Sequence, residues 1–365
     1  MSHQSVLNDA TIAFETTFSE KPTQVAYAPG RVNLLGEHTD YNGGLVFPMP
    51  LALGTAVAFG TGGEIGTIET ISTSFDGRVT RGLYDDPDGS WTDYIVGPLA
   101  HLLKGGSADS GIRIAVATDL PVGSGLSSSA ALEVATLRAA CAHFDTRLSD
   151  IELAKLARKA ENEFVGVPCG IMDQYSVSVG KPGSAVFLNT RTLTSNVVGL
   201  PDTHNFVIIH SGVTHKLSED GYEQRVKECN AACQALGVEM LSDLGMDDLD
   251  KIGALPTPLD GRARHIVTEN DRVSRAMTAL EENNSALFAQ CMIESHRSQR
   301  DDYGVSLPEI DALVDGALAA GADGARLTGG GFGGSIVAFV TKTKVAAFSK
   351  ELSAKFPNSP ILAVT

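Results

Sequence analysis

Clustered glycine constrains this chain more than any other feature. Of its 365 residues 38 are Gly, where ordinary usage of about 7% would give roughly 26. Many of them gather in four short segments: Gly30, Gly36, Gly43 and Gly44; Gly123 and Gly125; Gly166 and Gly170; and Gly329, Gly330, Gly331, Gly333 and Gly334. Glycine inside an element costs backbone entropy, so such clusters mark places where the chain needs positive φ or lets a ligand approach the backbone. They follow no G-X-Y period and only 15 Pro accompany them, which excludes collagen and low-complexity readings. With 43% apolar and 20% charged residues the chain can bury a core, and intrinsic disorder is excluded.

Between the clusters the patterning predicts mixed secondary structure. Short β-branched segments bounded by Gly or Pro predict strands at 24–28, 45–48, 54–59, 66–70, 112–118, 185–188, 205–210, 325–328, 335–340 and 361–364. Helices are predicted at 8–20, 127–143, 150–164 with Ser149 or Asp150 as N-cap, 171–179, 219–236, 259–282, 284–300, 308–320 and 343–355. Strands and helices do not alternate strictly, so the fold class is α+β and not a doubly wound sheet. Length suggests two domains, and the break is expected near 180–205, giving 1–195 and 196–365.

The charge balance, 44 acidic against 28 basic residues for a net −16, argues against nucleic acid or anionic membrane as a partner, because both need a basic face. It leaves a small phosphate ligand open, which a few backbone N–H groups can hold. Cys141, Cys169, Cys229, Cys233 and Cys291 are odd in number and widely spaced, without zinc spacing, so buried thiols in a reducing cytoplasm are expected. The start shows no signal-peptide pattern. The longest apolar run, 45–59, is broken by Pro48, Pro50 and Gly54.

The segment 121–130, PVGSGLSSSA, joins a predicted strand to a predicted helix. Gly123 and Gly125 allow close backbone approach, and the helix start offers unpaired N–H groups and a positive dipole end. Ser127, Ser128 and Ser129 add hydroxyls suited to phosphate or Mg²⁺; an ordinary Ser-capped loop is the plain alternative. It is not a Walker A loop, since Gly180-Lys181 is followed by Pro182. The segment 329–334, GGGFGG, formally contains G-x-G-x-x-G but runs into a strand, which does not fit a dinucleotide fold; alone it favours a tight turn. In 30–44, GRVNLLGEHTDYNGG, the groups Arg31, Asn33, Glu37, His38 and Asp40 form a dense donor and acceptor set suited to a polyhydroxyl ligand. A solvated hairpin turning at Asn42-Gly43 would be the plain reading. Asp173 sits in an apolar stretch, where a carboxylate is either paired or functional, and Glu161 lies on the preceding helix. His265, Glu269, Arg297, Arg300 and Asp301 read as interhelical pairs.

GRVNLLGEHTDYNGG, LPVGSGLSSSAALEVA and LTGGGFGGS, in this order, resemble the three motifs of the GHMP small-molecule kinases, and the first is similar to the galactokinase signature. PCGIMDQY and SHRSQRDDY (295–303) add to the likeness, which runs from about 22 to about 339. The resemblance implies an S5-like N-terminal domain and a ferredoxin-like C-terminal one, with the active site between them, and ATP-dependent phosphorylation of galactose at C1. It implies Asp173 as the catalytic carboxylate with Arg31 beside it. Glu37, His38, Asp40, the backbone of Gly170 and Tyr222 would contact the sugar. Trp91 and Tyr94 would lie near adenine, and Gly123, Ser124, Gly125, Leu126, Ser127, Ser128, Ser129 and Ala130 near the phosphates. Ser129 and Glu161 would ligate Mg²⁺.

Galactose and ATP are the expected partners, with no nucleic acid or membrane, in a cytoplasmic monomer or weak homo-oligomer. Three positions depart from many relatives: Thr214 where an Arg is frequent, with Lys216 nearby, Asn189 where an acidic residue is common, and Ser335 where Cys is. A kinase for N-acetylgalactosamine or another sugar, and a non-catalytic galactose sensor, are the alternative readings.

Overall fold

The computed structural model describes residues 3–104, 110–121, 123–181, 183–213 and 218–365. In chain order its elements are α1 (His3–Phe18), β1 (Gln24–Asn33), β2 (Leu45–Val46), β3 (Pro48–Thr61), β4 (Thr67–Ser72), β5 (Val79–Gly82), α2 (Asp93–Leu102), β6 (Ile112–Thr118), α3 (Ser128–His143), α4 (Asp150–Ala160), α5 (Met172–Val179), β7 (Ser184–Asn189), β8 (Thr194–Gly199) and β9 (His204–His210). There follow α6 (Ser218–Leu236), α7 (Leu249–Gly253), α8 (Leu259–Glu281), α9 (Ser285–Ser298), α10 (Pro308–Ala319), β10 (Gly324–Thr328), β11 (Ser335–Thr341), α11 (Val345–Lys355) and β12 (Ile361–Val364). The chain forms two compact units, one of residues 1–31, 50–122 and 127–182, the other of 32–49, 123–126 and 183–365. Two glycine-bearing segments, 32–49 and 123–126, therefore pack with the C-terminal half of the sequence.

The first unit is built on the five-stranded sheet β1-β3-β6-β4-β5, in which β6 pairs antiparallel with β3 and parallel with β4. Side chains alternate between sheet faces, and one face is kept small: Ala56 and Ala58 lie opposite Ala117 and Ala115. Against them packs α1 through Val6, Ala10, Phe14 and Phe18. A Cβ at Gly60 would stand 2.6 Å from the Phe14 ring, so the missing side chain lets the helix settle on the sheet. Residues 123–127 lead into α3, the helix expected at 127–143, which is Ala-rich and buried along most of its length. A capping box between Ser149 and Glu152 starts α4.

The helix expected over 150–164 ends as an α-helix at Ala160. It continues as a wide turn, 161–165, closed by the Gly166 N–H on the Glu161 carbonyl at 2.9 Å. Helix α2 was not foreseen, because Gly97-Pro98 reads as a breaker. Packing overrides that signal: a Cβ at Gly97 would stand 2.9 Å from the Phe164 ring.

The second unit holds an antiparallel four-stranded sheet, β10-β11-β9-β12, and a three-stranded one, β2-β7-β8, whose edge strand β8 was not foreseen. The core lies where β9, β10 and β11 meet α6, α8, α10 and α11, around Val207, Ile209, Ile266, Leu313, Leu327, Ile336 and Phe348. The helix expected over 284–300 changes register as the one at 150–164 does: α9 gives way at Gln299 to a second wide turn, 299–303, capped by Gly304 at φ 66°. Such turns re-aim side chains within a helix and are frequent at functional sites. Among the described residues no helix is long and apolar enough to cross a membrane.

Candidate active site

The first unit gathers carboxylates around Asp173. This residue opens α5, where the helix end favours negative charge. Arg31, at the end of β1, grips it with Nε donating to Oδ1 at 2.8 Å and Nη2 to Oδ2 at 2.7 Å. Such a two-pronged pair fixes orientation as well as charge. The Ser127 hydroxyl donates to Oδ2 at 2.6 Å, from a residue whose backbone is left-handed at φ 60°. Arg31 is buried, while the Asp173 side chain keeps 30% of its surface, so one face of the carboxylate stays open to a ligand.

Behind Asp173 lie two further acids. Glu161, the first residue of the wide turn, is buried, and Glu133 of α3 is fully enclosed. The Gln174 amide hydrogen-bonds both, at 3.3 Å to Glu133. Glu133 Oε1 and Gln174 Oε1 have no hydrogen-bond partner. Burial, then the charge of Asp173, pushes the Glu161 carboxyl up to about 7, and the Ser129 hydroxyl bonds to it. Burial and the charge of Glu161 raise Glu133 well above the usual carboxylate range. Among the described residues no Arg or Lys pairs with Glu133 or Glu161, a setting that a bound cation would relieve. Gly170 is placed by Asn162, whose side chain accepts from the Cys169 N–H at 3.1 Å and donates to its carbonyl at 3.3 Å.

The second unit treats its buried acids oppositely. Asn33 Nδ2 donates to Glu37 Oε2 and the Gly329 N–H to Oε1, each at 2.7 Å, while Arg326 stands 3.6 Å from Oε1. Glu269 of α8 accepts from the Gly36 N–H at 2.8 Å, from Ser295 at 2.6 Å and from Arg272 Nε at 2.7 Å. Burial alone would raise Glu269; the charges of Arg272, Arg326 and His265 overcome it and bring it to about 2. His265 Nε2 donates to the Glu37 carbonyl at 3.1 Å. Gly36 sits at φ 90°, and a Cβ there would lie 2.4 Å from the Leu45 carbonyl oxygen, so this turn admits only glycine.

His38 follows with φ 63°, strained for a side-chain-bearing residue. Its Nδ1 is 2.9 Å from the Tyr41 hydroxyl, and its ring lies 5.5 Å from that of Tyr222. Burial, then the charges of His265 and Arg225, lowers it to about 3, so the imidazole is neutral. Asp40 begins the short helical turn after it, and Thr190 donates to its carbonyl at 3.1 Å.

The last glycine cluster does more than turn the chain. Gly329, Gly331, Phe332, Gly333 and Gly334 all have positive φ, and the freed Gly329 N–H is one of the donors on Glu37. Ser335, the departure at the end of this motif, donates to the Ser124 carbonyl at 2.7 Å and so ties the glycine loop to β11. Trp91 stacks on Phe75 at 5.6 Å and 13°, and Tyr94 lies half-buried on α2.

Three family models match this chain. They are the galactokinase galactose-binding signature over residues 12–61, the GHMP kinases N terminal domain over 93–181 and the GHMP kinases C terminal over 276–358. Galactokinases of Chloroflexus aggregans and Chloroflexus aurantiacus are each 43% identical over 92% of this chain and 88% of their own length. The chain belongs to the galactokinases. The crystal structure of Lactococcus lactis galactokinase complexed with galactose superposes with a TM-score of 0.90 at 31% identity, covering 99% of both chains. Methanococcus jannaschii mevalonate kinase, at 19% identity and TM-score 0.68 over 90% of this chain and 94% of its own, shares the fold.

As a galactokinase, the chain is an ATP-dependent sugar kinase with the two-domain GHMP fold. Of the site residues read from the motifs, Arg31, Ser127 and Asp173 meet directly, as do Ser129 and Glu161. Glu37 and His38 share their cluster with Tyr222. Glu133, Gln174 and Tyr303 lie within the quoted motifs but were given no role there, and Arg326 lies outside them. His265 and Glu269, expected to pair helices, do so through Ser298 and Ser295 and also hold the Gly36-Glu37 backbone. A lone Glu in an Ala-rich, mostly apolar helix was the available signal for Glu133. Asn189 caps the turn after β7, its side chain accepting from the N–H groups of Arg191 and Thr192 at 3.0 Å. Thr214 and Lys216 lie outside the described residues.

Proposed function

We propose that this chain transfers the γ-phosphate of ATP to the C1 hydroxyl of α-D-galactose, giving α-D-galactose 1-phosphate and ADP. The Arg31–Asp173–Ser127 cluster carries the reading, because it presents a fixed, partly open carboxylate suited to a hydroxyl about to attack phosphorus. In it Asp173 accepts the C1 hydroxyl proton, Arg31 offsets charge, and Ser127 holds the carboxylate in place. Residues 1–195 carry most of the sugar and nucleotide groups and 196–365 the remainder. Glu37, His38, Asp40, the backbone of Gly170 and Tyr222 receive the sugar. The loop 123–130 receives the phosphates with its N–H groups and hydroxyls, and Trp91 and Tyr94 flank the adenine.

The donors around Glu161 fit a magnesium ion. Mg²⁺ takes one or two carboxylates, phosphate oxygens and water and needs no all-protein cage. Here two buried carboxylates and a serine hydroxyl lie together with one carboxylate oxygen unpaired. Ser129 and Glu161 would hold it, and when bound it would offset phosphate charge. The protein is taken to work in the cytoplasm as a monomer or weak homo-oligomer.

ADP release from Mg-ATP with galactose, N-acetylgalactosamine and glucose tests the reading. Galactose should give the highest kcat/KM. A preference for N-acetylgalactosamine, or galactose binding without ADP release, would overturn it.

A further inference from the structure

His38 heads a chain of hydroxyls that ends inside the core of the second unit. From Nδ1 it runs 2.9 Å to the Tyr41 hydroxyl, 2.7 Å on to the Tyr303 hydroxyl and 3.2 Å to the Cys229 sulfur. Tyr303 and Cys229 are buried, and Tyr303 stands at the end of the second wide turn. The rings of Tyr41, Tyr222 and Tyr303 lie 5.8, 5.5 and 4.8 Å from the imidazole. The ring thus has little freedom to rotate. Its other nitrogen, Nε2, is buried and makes no close hydrogen bond, while the nearby Gly330 carbonyl favours a proton on the ring.

A neutral imidazole carries one proton on two nitrogens, and the bond at one nitrogen decides what the other offers. The chain can be polarised in two ways. With Nδ1–H donating, each hydroxyl passes its proton inward and the last bond ends on the thiol sulfur, a weak acceptor. With Nδ1 accepting, Tyr41 donates to His38, Tyr303 to Tyr41 and the thiol to Tyr303. The second direction matches each group to its strength. A phenol is a better acid than imidazole N–H, and an imidazole nitrogen is a better acceptor than a phenol oxygen. The Asn42 side chain also bonds the Cys229 sulfur, leaving the thiol hydrogen free for Tyr303. Burial, and then the neighbouring Cys229, raises both phenols well above their ordinary range, so both keep their protons.

We propose that Tyr41 and Tyr303 are positioning residues that hold His38 as the Nε2–H tautomer, so that it presents a hydrogen-bond donor to a sugar oxygen. This rests on the reading of His38 as a sugar contact. Glu37, on the same loop, presents only acceptor oxygens. The pair then sets a polarity: one sugar hydroxyl must donate and another must accept. For the oxygen facing His38, a deoxyfluoro sugar should lose less than the deoxy sugar, because fluorine still accepts weakly.

Two-bond ¹H–¹⁵N correlation spectra of the full chain, with the His38→Gln variant to assign the resonance, read the tautomer directly. The expected result is a proton on Nε2 in the parent protein and a mixture of tautomers in Tyr41→Phe. Galactose KM should rise roughly three- to tenfold in Tyr41→Phe, as for one lost hydrogen bond, and less in Tyr303→Phe, with the loss carried by KM more than by kcat. A proton on Nδ1 in the parent overturns the proposal, and this outcome decides it even if the variants do not fold. So does a Tyr41→Phe protein with unchanged tautomer and unchanged KM. If the parent releases no ADP with galactose, the proposed function fails, and the spectra still decide the tautomer.

Discussion

Each unit of this galactokinase buries a pair of glutamates, and the two pairs are handled in opposite ways. Glu37 and Glu269 in the second unit are met by Arg326, Arg272, Asn33 and two backbone N–H groups, and Glu269 stays ionised far below neutrality. Glu133 and Glu161 in the first unit are met by one glutamine amide and a few hydroxyl and thiol groups, and both are pushed upward. A buried charge is tolerated when paired and strongly disfavoured when not. One cluster is therefore complete in the protein alone and holds the Gly36-Glu37 loop in place. The other is left short of positive charge, which suits a place where charge arrives with the ligand. The two wide turns carry the same contrast: one delivers Glu161, the other Tyr303.

The comparison is open to four tests. Asp173→Asn keeps the shape but loses the proton acceptor, so kcat should fall by roughly 10²–10⁴, with galactose binding by calorimetry retained; near-normal turnover would remove Asp173 from the chemistry. Glu269→Gln leaves Arg272 and Arg326 facing an uncharged amide, and urea unfolding should show a loss of about 3–5 kcal/mol. In Glu161→Gln the opposite is expected. Without divalent cation the variant should be as stable as its parent or more so, by up to ~2 kcal/mol, while magnesium-dependent nucleotide binding is lost. A variant as badly destabilised as Glu269→Gln would mean that the two clusters are built alike.

The smallest effect concerns pH. Burial, against a partly offsetting charge from Glu269, holds His265 at about 4, and His38 stands at about 3, both from an ordinary 6.5. Between 6.5 and these values the unfolded chain binds more protons than the folded one, so stability falls as pH falls through that window. His265→Gln, which cannot take up a proton but can still donate to the Glu37 carbonyl, should flatten the slope of denaturation midpoint against pH between 6.5 and 4. An unchanged slope would show that His265 does not contribute.

Legibility in the sequence followed the range of the interaction responsible. The capping box at Ser149, the strand at 112–118 and the helix after the glycine loop were readable because their signals lie within a few residues. The wide turns at 161–165 and 299–303 were not, since each begins inside a sequence that remains helical in character. Helix α2 was hidden by Gly97-Pro98, whose cost is offset by Phe164 packing where a Cβ would have been. In the site, the motifs marked groups that would face the ligands. They gave no sign of Arg326 and assigned no role to Tyr303, both of which act on those groups from hundreds of positions away.

The sequence by itself determined the α+β class, the family and the glycine loops, and it marked the groups proposed to meet the substrates, because residue type and local spacing carry that information. Only the tertiary structure decided which carboxylates are neutralised and which are not. That depends on which arginines, amides and hydroxyls the fold brings within about 3 Å of each oxygen in a medium of low dielectric, and nothing in the order of residues along the chain states it.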